Sequence, residues 1–272
     1  NTAVYLARCA KDKVAVHYVT ALGDDALSTS MLTQWQAEGL HTDTVELIAG
    51  TVPGLYMIQT DAKGERSFLY WRDQAPVKQL LQTANTERLT QQLLGLDWLY
   101  YTGITLAVLE PEGRRRLFDL LDQFRQRGGK VAFDINYRPR LWQENEAQEW
   151  ICEAYRRCDL ALPSVDDESD LWGKADATEI LQRLEGFGCR EIVLKRGVET
   201  CLVSYAGELT EYAVTPVNEV VDTTAAGDSF NGAYLASRML GRGVDEAIAV
   251  GQRLAAEVIS QPGAIVNTTV TL

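Results

Sequence analysis

The stretch Asp222-Thr-Thr-Ala-Ala-Gly-Asp-Ser-Phe230 indicates more about fold and chemistry than any other part of this chain. It joins the end of a predicted strand to a helix that begins near Asp228, and its small residues let a ligand approach the backbone. The free N–H groups of a first helical turn, together with the helix dipole, favour an anion there. A carboxylate at that point can also accept a hydroxyl proton. Taken alone, the run also fits an aspartate that only caps a helix.

The segments that lead up to this stretch alternate between strand and helix patterns from residue 86 onward. Strands are predicted at 97–101, 130–135, 159–162 and 191–195, and helices at 110–127, 144–157, 179–187, 228–240 and 244–260. Such alternation predicts a parallel sheet that is covered by helices on both faces. Ligands of such sheets bind beyond the carboxyl ends of the strands.

The first third of the chain has a different character. A helix is predicted over 2–10, a strand over 13–20, and a helix over 24–38 with an apolar face of Leu27, Met31, Leu32 and Trp35. Residues 54–60 and 66–72 flank the short turn Asp61–Glu65 and predict a β-hairpin, and a second hairpin is predicted at 201–214. We therefore predict an α/β core made of residues 1–43 and 75–272, with a β-rich lid at 44–74.

Composition limits the possible functions. The chain has 272 residues, 46% of them hydrophobic, and a formal net charge of −12. An acidic chain without a Lys/Arg block is not expected to bind nucleic acid or an anionic membrane. No apolar run approaches the roughly 18–20 residues that span a bilayer. Five cysteines without a Cys-x-x-Cys pair favour reduced thiols and a cytoplasmic protein. With only two histidines, a His-rich zinc site is not expected.

The run 222–230 resembles the C-terminal motif of the ribokinase-like (PfkB) carbohydrate kinases, which usually reads Asp-Thr-x-Gly-Ala-Gly-Asp-x-Phe. Ala225 stands where that pattern has its first glycine. The likeness extends over essentially the whole chain and is greatest to 2-keto-3-deoxygluconate kinases, in the segments 18–25, 53–56, 70–72, 134–142, 162–168, 195–197 and 262–265. It implies a three-layer α/β/α sandwich with a mostly parallel central sheet and a small β-rich lid.

The resemblance also implies roles for individual residues on the phosphoryl side of the site. Asp228 aligns with the catalytic base of the family, and the backbone of Ala226, Gly227 and Asp228 aligns with its anion hole. Ala225, Ala226 and Gly227 would take part in catalysis with Asp228 and would also line the ATP site. The nucleotide site would further include the following residues: Asn136, Ser164, Lys195, Arg196 and Gly197. For Lys195 to Gly197, a plain turn between a strand and a hairpin explains the sequence as well.

The same resemblance assigns the sugar side. Arg72 and Arg138 would hold a carboxylate, to which planar guanidinium donors are well suited. Tyr56 and Tyr70 would position the sugar backbone, and Asn1 aligns with a substrate-binding asparagine of the family. From the residues alone, the tyrosines fit strand-face packing, and Arg138 fits a structural salt bridge.

A carboxylate cluster at 166–168 opens a predicted helix. In the family, an Asn-x-x-Glu pattern in this region helps to organise Mg²⁺ and phosphate. Here Ser164 replaces the asparagine and Asp167 aligns with the glutamate, so the resemblance implies a Mg²⁺ role for Asp167 through water. Dipole compensation at a helix start explains the cluster as well.

The resemblance implies transfer of a phosphoryl group from MgATP to the 6-hydroxyl of 2-keto-3-deoxygluconate. Two alternatives are another sugar kinase of the family, such as a fructokinase, and a non-catalytic sugar-acid sensor. The exposed edge of the lid hairpin makes a homo-oligomer plausible. Because relatives have a strand and a Gly-Gly turn before the position of Asn1, we expect roughly thirty further residues to precede this sequence in the full protein.

Overall fold

The computed structural model describes residues 1–60, 66–217 and 219–272, with the backbone alone at 58, 60 and 66–68. Its helices are α1 Thr2–Ala10, α2 Ala26–Ala37, α3 Thr86–Leu93, α4 Gly103–Val108, α5 Pro111–Gln126, α6 Glu144–Arg156, α7 Val165–Trp172, α8 Ala177–Gly186, α9 Ala226–Met239 and α10 Val244–Ile259. Its strands are β1 Val16–His17, β2 Thr20–Leu22, β3 Leu40–His41, β4 Val45–Leu47, β5 Leu55–Thr60, β6 Arg66–Trp71, β7 Trp98–Thr102, β8 Lys130–Asp134, β9 Leu160–Ala161, β10 Glu191–Leu194, β11 Thr200–Tyr205 and β12 Glu208–Ala213.

A six-stranded sheet forms the centre of the fold, in the order β12-β11-β10-β9-β8-β7. The four strands β7 to β10 are parallel to one another, and β11 and β12 add an antiparallel hairpin at one edge. Short parallel pairs join β1 to β3 and β2 to β4, and β5 pairs antiparallel with β6. These pairings confirm the predicted α/β class with a mostly parallel sheet and antiparallel lid strands.

Side-chain alternation along β8 shows how the sheet separates two cores. Val131 and Phe133 are fully buried and pack in the core that α3 to α8 cover. Ala132, between them, packs in the core that α1, α9 and α10 cover. Because successive side chains of a strand point to opposite faces, the sheet is the middle layer of a three-layer α/β/α sandwich.

The predicted strand over 13–20 was wrong as a single element. The backbone forms a 3₁₀ turn at Lys11–Lys13 and then the separate strands β1 and β2. The two strands have different partners, because β1 pairs with β3 and β2 pairs with β4. A chain that changes partner cannot continue as one ladder.

Two further local predictions differ from the structure. The helix α4 was not predicted; Thr102 and Thr105 form a reciprocal capping box at its start. On the predicted apolar face of α2, Trp35 packs against the core and Met31 and Leu32 are half-buried, but Leu27 is 51% exposed and lies outside it.

The lid hairpin is present as β5 and β6, in a register that sets Tyr56 opposite Tyr70. Its predicted turn, Asp61–Glu65, lies outside the described residues. The limits of the lid at 44 and 74 stay a prediction. Strand β4, which lies inside those limits, pairs with β2, which lies outside them. Within the described ranges, every helix is too short or too polar to cross a membrane.

Candidate active site

The helix α9 begins in an unusual backbone geometry. Ala225, its N-cap residue, has φ 63° and ψ 15°, which is the left-handed region. This conformation costs a residue with a Cβ roughly 1–2 kcal/mol, so the turn is held in place by its surroundings. The amide of Ala226 donates to the Thr223 carbonyl at 3.2 Å, and the amide of Ser229 donates to the Ala225 carbonyl at 2.8 Å. The first turn of α9 thus presents its N-terminus to the carboxyl-end side of the sheet, where anions are stabilised.

The carboxylate of Asp228 lies in this first turn and is held from α1. The Asn1 side-chain amide donates to Asp228 Oδ2 at 2.7 Å, and the Thr2 hydroxyl lies 3.3 Å from Oδ1. Gly232 permits this contact, because a Cβ there would lie 2.8 Å from the Thr2 carbonyl oxygen and 2.9 Å from the Tyr5 Cβ. The close approach of α1 and α9 therefore positions both predicted residues, Asn1 and Asp228, side by side.

A buried polar network lies beneath the same turn. Lys195 Nζ donates to Asn231 Oδ1 at 2.9 Å, and Asn231 Nδ2 donates to Asp134 Oδ2 at 2.8 Å. Lys195 Nζ also lies 3.8 Å from Asp134 Oδ2 and 3.9 Å from the point where Gly227 would carry a Cβ. An ammonium group so close to the Ala226–Gly227 turn adds a positive charge to the anion-binding end of α9.

Burial and neighbouring charges determine the protonation of Asp134. Burial raises the pKa of this carboxyl to about 6, Lys195 opposes the rise, and the negative charges of Asp167 and Asp228 add to it. Its Oδ1 has no side-chain partner in the described part of the chain. Asp134 thus forms one electrostatically coupled group with the two predicted carboxylates, Asp167 and Asp228.

Asp134 and Asn231 were not predicted as site residues. Asp134 follows Ala132 by two residues on β8, so its side chain points to the same face of the sheet, toward α9, where Asn231 is fully buried. One signal was available in the sequence. A carboxylate at the end of an apolar strand is costly to bury unless a cation or donor compensates it, which points to a partner such as Lys195.

Asp167 is hydrogen-bonded to two residues that were also predicted for the site. Arg138 Nη1 donates to Asp167 Oδ1 at 3.0 Å, and the Ser164 hydroxyl donates to Oδ2 at 2.9 Å. Ser164 is the N-cap of α7 and accepts from the Asp167 amide at 3.1 Å. Both alternatives weighed for these residues, an ion pair of Arg138 and a helix cap, are therefore present.

The remaining nucleotide-side predictions lie on turns at the strand ends. Arg196 Nη1 donates to the Thr200 hydroxyl at 2.8 Å and so braces the turn between β10 and β11. Gly197 in that turn has φ 61°, and Asn136, two residues after β8, has φ 34°. Positive φ at a non-glycine residue such as Asn136 is uncommon and concentrates at functional turns.

The predicted sugar-side residues of the lid form an exposed aromatic group. Tyr56 and Tyr70 are 57% and 39% exposed, and their ring centroids are 6.2 Å apart. The Arg72 guanidinium carbon lies 4.1 Å above the Tyr70 ring, a cation–π geometry. Core packing therefore does not account for the two tyrosines, while Arg72 offers a cation beside their flat faces.

Asp222, at the start of the 222–230 run, connects this run to the last segment of the chain. Its Oδ1 accepts from the Thr224 amide at 2.9 Å, and its Oδ2 accepts from the Gly263 amide at 3.0 Å. The resemblance had set residues 262–265 on the nucleotide side. The carboxylate of Asp222 holds these two segments together.

Comparison with known proteins gives consistent matches over nearly the whole chain. The sequence model of the protein family described as "pfkB family carbohydrate kinase" matches residues 1–270. The 2-dehydro-3-deoxygluconokinase of Dickeya dadantii is 45% identical over 271 residues, which are 98% of this chain and 87% of that protein. The protein of the same name from Escherichia coli K12 is 42% identical over 98% of this chain and 88% of its own length. An E. coli crystal structure described as a candidate ribokinase II in complex with ATP and Mg²⁺ superposes with a TM-score of 0.83 at 20% identity, over 96% of this chain and 82% of that one.

Proposed function

The chain belongs to the pfkB family of carbohydrate kinases, and from this membership we propose that it transfers the γ-phosphoryl group of ATP to 2-dehydro-3-deoxygluconate. This sugar acid is the compound also called 2-keto-3-deoxygluconate. The new bond joins the 6-oxygen to the γ-phosphorus, while the bond to the bridging oxygen of ADP breaks. The products are ADP and the 6-phosphate.

Asp228 accepts the proton of the 6-hydroxyl in this proposal. The observation that most supports it is the carboxylate in the first turn of α9, hydrogen-bonded by Asn1. A carboxylate at a helix start is next to the N–H groups that stabilise a transferring phosphoryl group. Base and anion hole thus lie within one turn, so the attacking hydroxyl and the transferring phosphoryl group would meet at the same point.

Lys195 and the first turn of α9 supply the positive potential in this site. The N–H groups of Gly227 and Asp228 and the ammonium near Gly227 would face the oxygens of the transferring group, and the Ala226 amide would join them only on leaving the Thr223 carbonyl. Asn231 fixes the ammonium by its 2.9 Å hydrogen bond. A group held this way needs little reorganisation when charge moves during transfer.

The carboxylates present fit a magnesium ion. Asp134, Asp167 and Asp228 lie close enough that the latter two raise the pKa of the first, and Mg²⁺ prefers such hard oxygen ligands. Asp167 would hold the ion, through water, on the nucleotide side. When bound, Mg²⁺ neutralises charge on the phosphates of ATP.

We propose that the sugar acid binds between the lid and the α9 side of the core. Arg72 and Arg138 would hold its carboxylate, Tyr56 and Tyr70 would cover its backbone, and Asn1 would contact it next to Asp228. For Arg138 this requires a change of partner, because its guanidinium is bonded to Asp167. A lid that closes over the acid would also exclude water, since hydrolysis of ATP is the competing reaction.

An ADP-release screen over sugar acids and neutral sugars tests the proposal. We expect the highest kcat/KM for 2-dehydro-3-deoxygluconate. Faster turnover of fructose or ribose would instead indicate a kinase of neutral sugars. Binding of the acid without ADP release would indicate a sensor.

Two coarser proposals accompany the activity. Free thiols at all five cysteines fit the reducing cytoplasm, where ATP is available. The exposed edge residues of β5 and β6 support a homo-oligomer, which sedimentation analysis of the purified protein would test.

A further inference from the structure

The two histidines of this chain lie side by side on neighbouring strands and have no part in the site described above. His17 ends β1 and His41 ends β3, and the parallel register pairs them directly. Their rings stack with centroids 4.7 Å apart and an interplanar angle of 20°. The sequence contains no other histidine. Their number argued against a zinc site, whereas their placement argues for one.

A carboxylate completes the group. Asp43 follows His41 by two residues, and its Oδ1 lies 3.0 Å from His17 Nδ1. One ring nitrogen from each histidine and one oxygen of Asp43 all lie within 4.8 Å of one another. Two imidazoles and a carboxylate form a donor set that Zn²⁺ and other divalent transition metals prefer.

We propose that His17, His41 and Asp43 form a binding site for a divalent transition-metal ion such as Zn²⁺. Ligands of a tetrahedral zinc ion lie roughly 3.3–3.5 Å apart, given bonds of about 2.0–2.2 Å. Side-chain rotation must therefore shorten the longest distance between two ligand atoms by roughly 1.5 Å to reach that spacing. His41 and Asp43 are exposed and can rotate without disturbing the core. Water fills the remaining coordination positions.

The ion would link the two strands of a short ladder. The ladder between β1 and β3 has two residue pairs, Val16 with Leu40 and His17 with His41. An ion bound to both strands and to the segment before β4 adds a link that the unfolded chain lacks, so binding stabilises the folded state. Mg²⁺ would not substitute, because it prefers oxygen ligands and keeps its waters.

The test uses an untagged chain, titrated calorimetrically with ZnCl₂ in the presence of excess MgCl₂. We expect about one zinc ion per chain, and a loss of affinity of at least about tenfold in His17→Asn and in His41→Asn. Cys152→Ser is the matched control, because Cys152 is the cysteine that is not buried. Zinc binding that is unchanged in the histidine variants, or lost in Cys152→Ser, would overturn the proposal.

Thermal unfolding supplies a second measurement. Zinc should raise the Tm of the wild type but not that of His41→Asn, while the two proteins should unfold alike in the presence of EDTA. If a histidine variant is itself unstable, Asp43→Asn gives the same comparison from an exposed position. An equal zinc-induced rise of Tm in wild type and variants would contradict the proposed site.

Discussion

The side-chain amide of Asn1 donates a 2.7 Å hydrogen bond to the carboxylate of Asp228, 227 positions further along the chain. Asn1 is the N-cap of α1, and Asp228 lies in the first turn of α9. The N-termini of two helices therefore meet at one carboxylate. Since each N-terminus carries about half a positive charge, the pair favours anions at this point.

The role of Asp228 is tested by Asp228→Asn. An amide oxygen can still accept the hydrogen bond from Asn1, but it cannot take a proton from the 6-hydroxyl. We expect kcat to fall about 10²- to 10⁴-fold with little change in the KM for the sugar acid. Steady-state assays of ADP release measure both constants, and a near-normal kcat would reject Asp228 as the base.

The buried network is tested by Asn231→Ala. This change leaves Lys195 and Asp134 without the group that bridges them, so we expect a loss of about 1–3 kcal/mol in the free energy of unfolding. We also expect a higher KM for ATP, since the ammonium near Gly227 is no longer fixed. Ser237→Ala is the matched control, because Ser237 is equally buried in α9 and bonds to the Ala233 carbonyl of its own helix. A KM for ATP that is equal in both variants would show that the network is structural alone.

The pH dependence of stability tests the protonation of Asp134. The pKa of Asp134 is about 6 in the folded protein and 3.8 in the unfolded chain. Between about pH 4 and 6 the folded protein therefore binds more protons than the unfolded chain does. The contribution of Asp134 to the free energy of unfolding therefore falls as the pH rises through that window, by roughly 3 kcal/mol in total. Asp134→Asn cannot titrate and should lack this slope. Urea unfolding at several pH values measures it.

The control for that series is Asp12→Asn, which removes an exposed carboxylate. Its unfolding free energy should follow the wild-type curve. Parallel curves for wild type and Asp134→Asn between about pH 4 and 6 would contradict the raised pKa.

The contact between α1 and α9 is tested by Gly232→Ala. The added Cβ would lie 2.8 Å from the Thr2 carbonyl oxygen, a backbone atom, so α1 must move. We expect a loss of about 1–3 kcal/mol in unfolding free energy, and a lower kcat because Asn1 leaves Asp228. Gly186→Ala, where an added Cβ meets nothing within 4 Å, should be neutral or stabilising. Equal stability of the two variants would rule out close packing at Gly232.

The role of Arg138 is tested by comparing the two partners of its ion pair. Arg138→Ala should raise the KM for the sugar acid at least about tenfold, because a charged hydrogen bond to the substrate is lost. Asp167→Asn should instead raise the KM for MgATP and leave that for the acid unchanged. If neither variant alters the KM for the acid, the pair is only structural.

The sequence predicted the large elements well because their signals are local. Apolar periodicity indicated every strand from β7 to β10, and the small residues before Asp228 indicated the start of α9 within two residues. By contrast, α4 depends on a reciprocal cap between Thr102 and Thr105, and the break between β1 and β2 depends on a change of strand partner. Neither leaves a periodic pattern.

The site was predictable where resemblance could align residues, and not where the fold alone brings them together. Asn231 and Asp134 are 97 positions apart, and Lys195 is 36 from Asn231. No spacing rule joins such residues. The same holds for His17 and His41, which only the register of β1 and β3 sets in contact.

The alternation along β8 has a consequence for how this protein tolerates insertions and deletions. A substitution of Val131 or Phe133 alters one core only. Inserting or deleting one residue ahead of the strand instead moves every side chain of β8 to the opposite face of the sheet. Asp134 would then face the helices α3 to α8 and its place beside Asn231 would pass to an apolar side chain. Length variation before β8 must therefore be absorbed upstream, in the turn after α5, where Gly128 has a positive φ and free space around it.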